Sequence, residues 1–133
     1  MISISYTVKG AEDIIRQLDG IRLDAIKGDV SDLLDDIAAD AANYPPELPS
    51  QRYVRTGDLG RGWTDSVPML SGDATSLLAV LTNSVPYGPE VQGTEDQKSI
   101  FAGRWRTTDQ IVSAWEERAA QRIEAALGRL IGQ

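Results

Sequence analysis

The stretch "SLLAVLTN", residues 76–83, is a near-continuous apolar run of strand length. A short apolar run bounded by turn residues is typical of a buried strand. The segment "SGDAT", residues 71–75, comes directly before it and predicts a turn. We therefore expect residues 60–83 to form a hairpin whose second strand is the most buried strand of the protein.

The first strand of that hairpin is expected in "GWTDSVPML", residues 62–70. As a strand, this segment would carry Trp63, Val67 and Met69 on one face. Pro68 has no N–H to donate to a neighbouring strand, which indicates an edge strand or a bulge.

Two further strands are predicted, one before and one after the hairpin in the sequence. "ISISYTV", residues 2–8, alternates apolar and hydroxyl side chains, which is typical of a half-buried strand. "KSIFAGRWR", residues 98–106, is expected to form a last short strand, with Gly103 at a bulge or a close approach. The segments between the elements, 44–58 and 84–97, are expected to be loops, with at most one helical turn in the second.

Two long helices are predicted from apolar residues spaced three and four apart. The first runs over residues 23–43, begins late or bends at Gly28, and ends before the prolines of "YPPELP". The second runs from about residue 108 to 131, and Thr107 and Gln110 have the spacing of a capping box at its start. Residues 11–18, "AEDIIRQL", are expected to add a short helix.

These elements predict an α+β fold. A small, mostly antiparallel sheet of about 3–4 strands is covered on one face by the two long amphipathic helices. At 133 residues the chain is expected to be a single domain.

The composition excludes several kinds of chemistry. The chain has no cysteine and no histidine, so disulfides, zinc–thiolate sites and imidazole catalysis are not available to it. We expect no enzymatic activity, no cofactor and no metal. A carboxylate-based hydrolase is the less favoured alternative, and its structural sign would be Asp58 and Glu90 facing a deep pocket.

The net charge of -7 is unevenly distributed. Residues 10–50 contain ten acids and three bases, an asymmetry that suits docking between protein subunits. The overall negative charge disfavours general electrostatic binding to nucleic acid. Four acids of the first long helix lie on one face: Asp29, Asp32, Asp36 and Asp40. That face predicts a cation site, an acidic docking surface or an ordinary solvated face. No apolar run is long enough to span a membrane and no signal peptide is evident, so we expect synthesis in the cytoplasm.

The segment "RYVRTGDLGRGW", residues 52–63, combines glycines, arginines and aromatics. It lacks the Lys-Ser/Thr pair of a phosphate-binding loop and the glycine order of a dinucleotide fingerprint. A turn explains it better, since Gly57 permits a positive φ and Asp58 can bond to nearby backbone. Core packing is the expected role of Trp63, Trp105 and Trp115, with a subunit interface or stacking on single-stranded nucleic acid as alternatives.

Two segments resemble a known family. "RYVRTGDLGRGWT" (52–64) is similar to the Arg-Thr-Gly-x-Leu signature of the tail-component family of long-tailed phages, which are minor tail or tail-completion proteins of the head–tail junction. "NSVPYGPEVQGT" (83–94) resembles the tyrosine-containing segment that follows the central strand in that family. The order of the predicted elements is also similar and covers most of the chain.

The resemblance implies a structural protein of the virion tail or head–tail junction. It implies assembly with copies of itself, as a ring that is often hexameric, and with other tail or connector proteins. A ring interface joins two different faces, so an acidic helix can meet an arginine-rich loop of the next copy. The residues expected at such an interface are Asp36, Asp40, Arg52, Arg55, Asp58, Arg61 and Tyr87. The alternatives are that Arg55 only holds its own turn, and that the chain is a non-virion interaction module of prophage origin.

Overall fold

The computed structural model of the chain describes residues 1–9, 23–46, 57–72 and 76–131. It is an α+β structure in which a three-stranded antiparallel sheet packs against helices. The elements, in chain order, are β1 (Ile2–Lys9), a 3₁₀ turn (Leu23–Ile26), α1 (Lys27–Ala41), α2 (Asp58–Thr64), β2 (Met69–Gly72), β3 (Ser76–Asn83), α3 (Gly88–Gln92) and α4 (Thr108–Ile131).

Strand β3 lies at the centre of the sheet, which has the order β1-β3-β2. Both pairings are antiparallel, with Ile4 opposite Leu81 and Met69 opposite Val80. The strands predicted at residues 76–83 and 2–8 are therefore confirmed, and the first of these is the central strand. Strand β2 begins directly after Pro68, which donates no hydrogen bond to the ladder.

The two faces of the sheet differ in burial. The inner face carries the buried residues Ile2, Ile4, Leu77, Ala79 and Leu81. The outer face carries side chains that are exposed or half-buried: Ser3, Ser5, Thr7, Met69, Ser71, Leu78, Val80 and Thr82. The apolar run of β3 is thus buried on alternate residues only, because the helices cover one face of the sheet.

Helices α1 and α4 form the layer against the inner face. Their apolar stripes close the main core with the sheet and Trp63, and its central residues include Val30, Leu34, Ile37 and Ile111. Burying each such side chain contributes roughly 1.5–3 kcal/mol. The two long amphipathic helices predicted from the sequence are confirmed. Helix α1 begins at Lys27 after the 3₁₀ turn, and it ends at Ala41, before the prolines.

The start of α4 is fixed by the predicted capping box. The Thr107 hydroxyl accepts from the backbone N–H of Gln110 at 3.2 Å, and the Gln110 carboxamide oxygen accepts from the backbone N–H of Thr107 at 2.9 Å. Two backbone donors of the first turn are satisfied in this way.

The first strand predicted for the hairpin is wrong over residues 62–64, because residues 58–64 form helix α2. Leu59 and Trp63 are four residues apart, so helical geometry places both on one face, where both are buried. Val67 and Met69 do not share that face and are highly exposed. In this part of the chain, the strand begins only at Met69 and runs to Gly72.

The last strand predicted at residues 98–106 is also wrong. These residues form consecutive turns, with backbone hydrogen bonds from Phe101 to Lys98 and from Trp105 to Phe101. Gly103 adopts a φ of 79°, a left-handed conformation that a strand does not contain. The predicted short helix at 11–18, part of the turn at 71–75 and most of the loop at 44–58 lie outside the described residues.

A second, smaller hydrophobic cluster forms beside the main core. Leu59, Val91 and Trp105 are its buried members, and the Tyr44 and Trp105 rings lie 4.9 Å apart between centroids. The cluster therefore joins α2, α3 and the turns before α4. All three tryptophans are buried, as predicted for core packing.

Candidate functional site

The two segments that carry the family resemblance pack against each other through Asn83. This side chain is fully buried, and its amide nitrogen donates to the carbonyl of Leu59 at 2.9 Å. Its amide oxygen accepts from the backbone N–H of Val85 at 3.0 Å. One side chain at the end of β3 thus holds both the first turn of α2 and the start of the following loop.

A second buried contact joins the same segments. The Trp63 indole N–H donates to the Gln92 carboxamide oxygen at 2.8 Å, and the Gln92 amide nitrogen donates to the carbonyl of Ala41 at 3.4 Å. Because Gln92 is buried, these bonds replace the hydrogen bonds to water that its carboxamide group would otherwise form. Helices α1, α2 and α3 meet at this residue.

The close approach of α2 to β3 requires a residue without a side chain at position 62. A Cβ atom at Gly62 would lie 2.2 Å from the Asn83 amide oxygen. On the opposite side of α2, the backbone N–H of Gly60 donates to the Tyr44 hydroxyl at 2.9 Å. Gly57 precedes the helix with a φ of 83°, which confirms the positive φ predicted there.

Asp40 is the most connected acid of helix α1. Its carboxylate accepts from two nitrogens of Arg106, at 2.9 and 3.1 Å, and from the Trp115 indole N–H at 2.8 Å. Arg106 also donates to the Asp40 backbone carbonyl at 2.8 Å. The hydrogen bonds from Arg106 hold the pKa of Asp40 below its usual value, although burial opposes this shift.

Two other acids of α1 pair with arginines of α4. Asp36 contacts Arg122 at 2.6 Å, and Asp29 contacts Arg129 at 2.5 Å. Asp29 and Asp36 are seven residues apart on α1, and Arg122 and Arg129 are seven residues apart on the antiparallel helix α4. This shared spacing was a signal in the sequence. The predicted acidic face thus has three cationic partners within the chain. Asp32 is exposed and forms no ion pair with another residue in the described part of the chain.

The seven predicted interface residues do not form one described cluster. Asp58 and Arg61 form an ion pair on the surface of α2, and Tyr87 lies at the start of α3 with 40% of its side chain exposed. Asp36 and Asp40 lie on α1, against α4. Arg52 and Arg55 lie outside the described residues. The assignment of these residues to a subunit interface stays a prediction.

The acids considered for catalysis each have a cation beside them. Asp58 pairs with Arg61, and Glu90 lies 3.4 Å from the Lys98 amine. Within ranges 1–9, 23–46, 57–72 and 76–131, no three side chains of metal-ligating type come together. Across those same ranges, no helix has the length and apolar character needed to cross a membrane.

The chain was compared with known protein families, with curated proteins and with solved structures, and none of the three comparisons finds a match. The resemblance to the phage tail-component family accordingly stays a prediction from the two sequence segments.

Proposed function

We propose that this chain is a structural protein of a phage or prophage virion, acting in tail completion or head–tail joining. It would assemble with copies of itself, as a ring, and with other tail or connector proteins. In this proposal it is made in the bacterial cytoplasm, ends in the virion tail or head–tail junction, and acts without catalysis or cofactor.

The observation that best supports the proposal is the packing of the two resemblance segments on each other. Asn83 bonds to Leu59, and Trp63 bonds to Gln92, so residues distant in sequence form one buried unit. This unit presents Tyr87 at its surface, at the start of α3. Buried, hydrogen-bonded polar side chains of this kind favour one arrangement of the backbone, which suits a part that must fit a neighbour.

The ion pairs favour a structural role over a hydrolase. A general acid or base needs a carboxylate held near the substrate in a suitable protonation state. Asp58 and Glu90 instead face Arg61 and Lys98 on exposed surfaces. The hydrolase alternative therefore gains no support from these two carboxylates.

The first experiment measures the mass of the purified chain by light scattering and images it by negative-stain electron microscopy. A ring of defined mass supports the proposal, because a ring is the form expected for this role. A monomer at all concentrations, which also fails to bind purified tail-tube or connector proteins, would contradict it and favour the non-virion interaction module.

A charge exchange tests the predicted interface residue Asp36. Reversing Asp36 alone also breaks its pair with Arg122, so lost assembly would be ambiguous. The double variant Asp36→Arg/Arg122→Asp restores a pair within the chain while reversing the charge offered to a neighbour. We expect this variant to fold normally and to lose self-association; unchanged oligomer mass would remove Asp36 from the interface.

A further inference from the structure

Strand β1 is the longer of the two strands that form the edges of the sheet. It has eight residues and pairs with β3 over all of them, with no extra residue on either strand. Among the described residues, β3 is the only strand that pairs with it, because the sheet order is β1-β3-β2. The other edge of β1 carries backbone N–H and C=O groups, and an edge of this kind is a template for a further strand.

The sequence of β1 lacks the features that keep an edge strand from pairing with another chain. Natural edge strands are protected by prolines, by lysines and other charged side chains, by bulges or by being very short. Residues 2–8, "ISISYTV", contain no proline, no glycine and no charged residue, and Lys9 at the end of the strand is its only charge. Segments of six or seven residues with this composition associate when they lie on an edge. The edge of β1 is therefore suited to pair with a strand of another chain.

The opposite edge of the sheet has the protection that β1 lacks. Strand β2 has four residues, and it begins directly after Pro68. A short strand next to a proline offers few backbone groups to a partner. The contrast between the two edges indicates that β1, rather than β2, joins another chain.

The side-chain pattern of β1 is self-complementary about Ser5. In an antiparallel pair, residues directly opposite each other lie on the same face of the sheet. A twofold axis at Ser5 places Ser5 opposite Ser5 of the other copy, and Ser3 opposite Thr7. These three side chains are exposed on the outer face, whereas Ile4 is buried and Tyr6 is half-buried on the inner face. Hydroxyl side chains then lie opposite hydroxyl side chains, and Ile4 lies opposite Tyr6, and both kinds of cross-strand pair are favourable.

We propose that β1 pairs antiparallel with β1 of a second copy of the chain, across a twofold axis at Ser5. The two three-stranded sheets form one six-stranded sheet, with the inner faces of both copies on the same side. This register pairs all of residues 2–8 with one another and leaves Lys9 beyond the last of these pairs. The inference goes beyond the proposed function, because a twofold contact joins the same surface of two copies and closes at a dimer, whereas a ring needs two different surfaces.

The contact is expected to be weak, because it is small. Seven residues of about 3.3 Å each form a contact about 23 Å long and one strand wide. Stable interfaces bury about 800 Å² on each partner, and smaller ones are typical of transient complexes. We therefore expect a dissociation constant in the micromolar range, about 1–100 µM.

The experiment is sedimentation equilibrium of the full chain at concentrations from about 1 µM to about 1 mM. Ser5→Lys and Ser5→Glu are each expected to weaken the dimer at least about tenfold, because like charges then lie directly opposite each other. An equimolar mixture of the two variants should recover the dimer, because the opposed charges attract. Ser71→Lys is the matched control. It makes the same change on the outer face at β2, where Ser71 is exposed, and the dissociation constant should stay within about twofold of the unmodified chain.

Recovery in the mixture supports the pairing, because it requires Ser5 to lie beside Ser5 of the other copy. Three results overturn the pairing: a monomer up to about 1 mM, a dimer that the Ser5 charges leave unchanged or that the mixture does not restore, and equal weakening by Ser71→Lys. Circular dichroism of each variant confirms that it is folded.

The outcomes also separate this inference from the proposed function. Rings that form equally well in the unmodified chain and in both Ser5 variants leave the proposed function standing and overturn the β1 pairing. A dimer that responds to the Ser5 charges as expected, in a chain that forms no ring and binds no tail-tube or connector protein, supports the β1 pairing and contradicts the proposed function.

Discussion

Gly62 and Gly128 show how the same residue type has opposite roles in two helices. A Cβ atom at Gly62 would lie 2.2 Å from the Asn83 amide oxygen, whereas a Cβ atom at Gly128 meets nothing within 4 Å. We expect Gly62→Ala to destabilise the protein by about 1–3 kcal/mol through overpacking. Gly128→Ala should stabilise it by about 0.5–1 kcal/mol, because alanine favours a helix interior.

Urea unfolding of both variants measures this difference. The two substitutions add the same methyl group to a helix, so Gly128→Ala serves as the matched control for helix propensity. Equal free energies of unfolding for the two variants would mean that α2 does not approach Asn83 as closely as described.

Asp40 is the residue at which pH should affect stability. Its pKa is lowered in the folded chain, chiefly by Arg106. Its stabilising contribution is therefore present above the unfolded pKa of about 3.9 and is lost as the pH falls towards the folded value. Asp40→Asn should cost about 1–2 kcal/mol at pH 7, since charge-assisted bonds are weakened but the shape is kept.

The measurement is urea unfolding of Asp40→Asn and the unmodified chain at about pH 7 and about pH 3. The difference between the two free energies of unfolding should shrink at the lower pH. Asp35→Asn, at an exposed site of α1, should change stability by less than about 0.5 kcal/mol at either pH. A difference for Asp40→Asn that is equal at both pH values would contradict the role of its charge.

Among the helices and strands, the sequence predicted those that have a clear apolar pattern over their whole length. Strand β1 shows period two and helices α1 and α4 show the 3–4 spacing, while β3 is a near-continuous apolar run of strand length. Helix α2 was missed because Gly60 and Gly62 lower helix propensity, and tertiary packing against Tyr44 and Asn83 overrides that preference. Its one helical signal was the pair Leu59 and Trp63, four residues apart.

The candidate site was less predictable than the fold, because its contacts join residues that are distant in sequence. Asp40 and Trp115 are separated by 75 positions, and Asn83 and Leu59 by 24. The sequence identified the acidic face of α1, and its one sign that α4 supplies the partners was the seven-residue spacing shared by Asp29 and Asp36 with Arg122 and Arg129. The exposure of Leu78 was missed for a similar reason, since a run of apolar residues does not say how many faces of a sheet are covered.

Two hydrophobic clusters in the described part of the chain are joined by a few buried polar contacts. The main core lies between the sheet and helices α1 and α4, and the smaller cluster contains Leu59, Val91 and Trp105. Gln92 connects them, because it bonds to Trp63 of the main core and to the Ala41 carbonyl, while its neighbour Val91 belongs to the smaller cluster. These contacts should make the described parts of the chain unfold together.

The bond between Trp63 and Gln92 should therefore contribute to the stability of the smaller cluster. Gln92→Leu keeps the volume of the side chain but leaves the Trp63 indole N–H buried without an acceptor, at an expected cost of about 1–3 kcal/mol. The substitution should increase the rate of amide hydrogen exchange more at Lys98 and Trp105 than at Leu81 in the central strand. The N–H groups of Lys98 and Trp105 bond within the region of the smaller cluster. Gln121→Leu, at an exposed position of α4, is the control and should leave both rates unchanged. Uniform acceleration of all three amides in Gln92→Leu would instead show that the two clusters open only as one cooperative unit, independent of this bond.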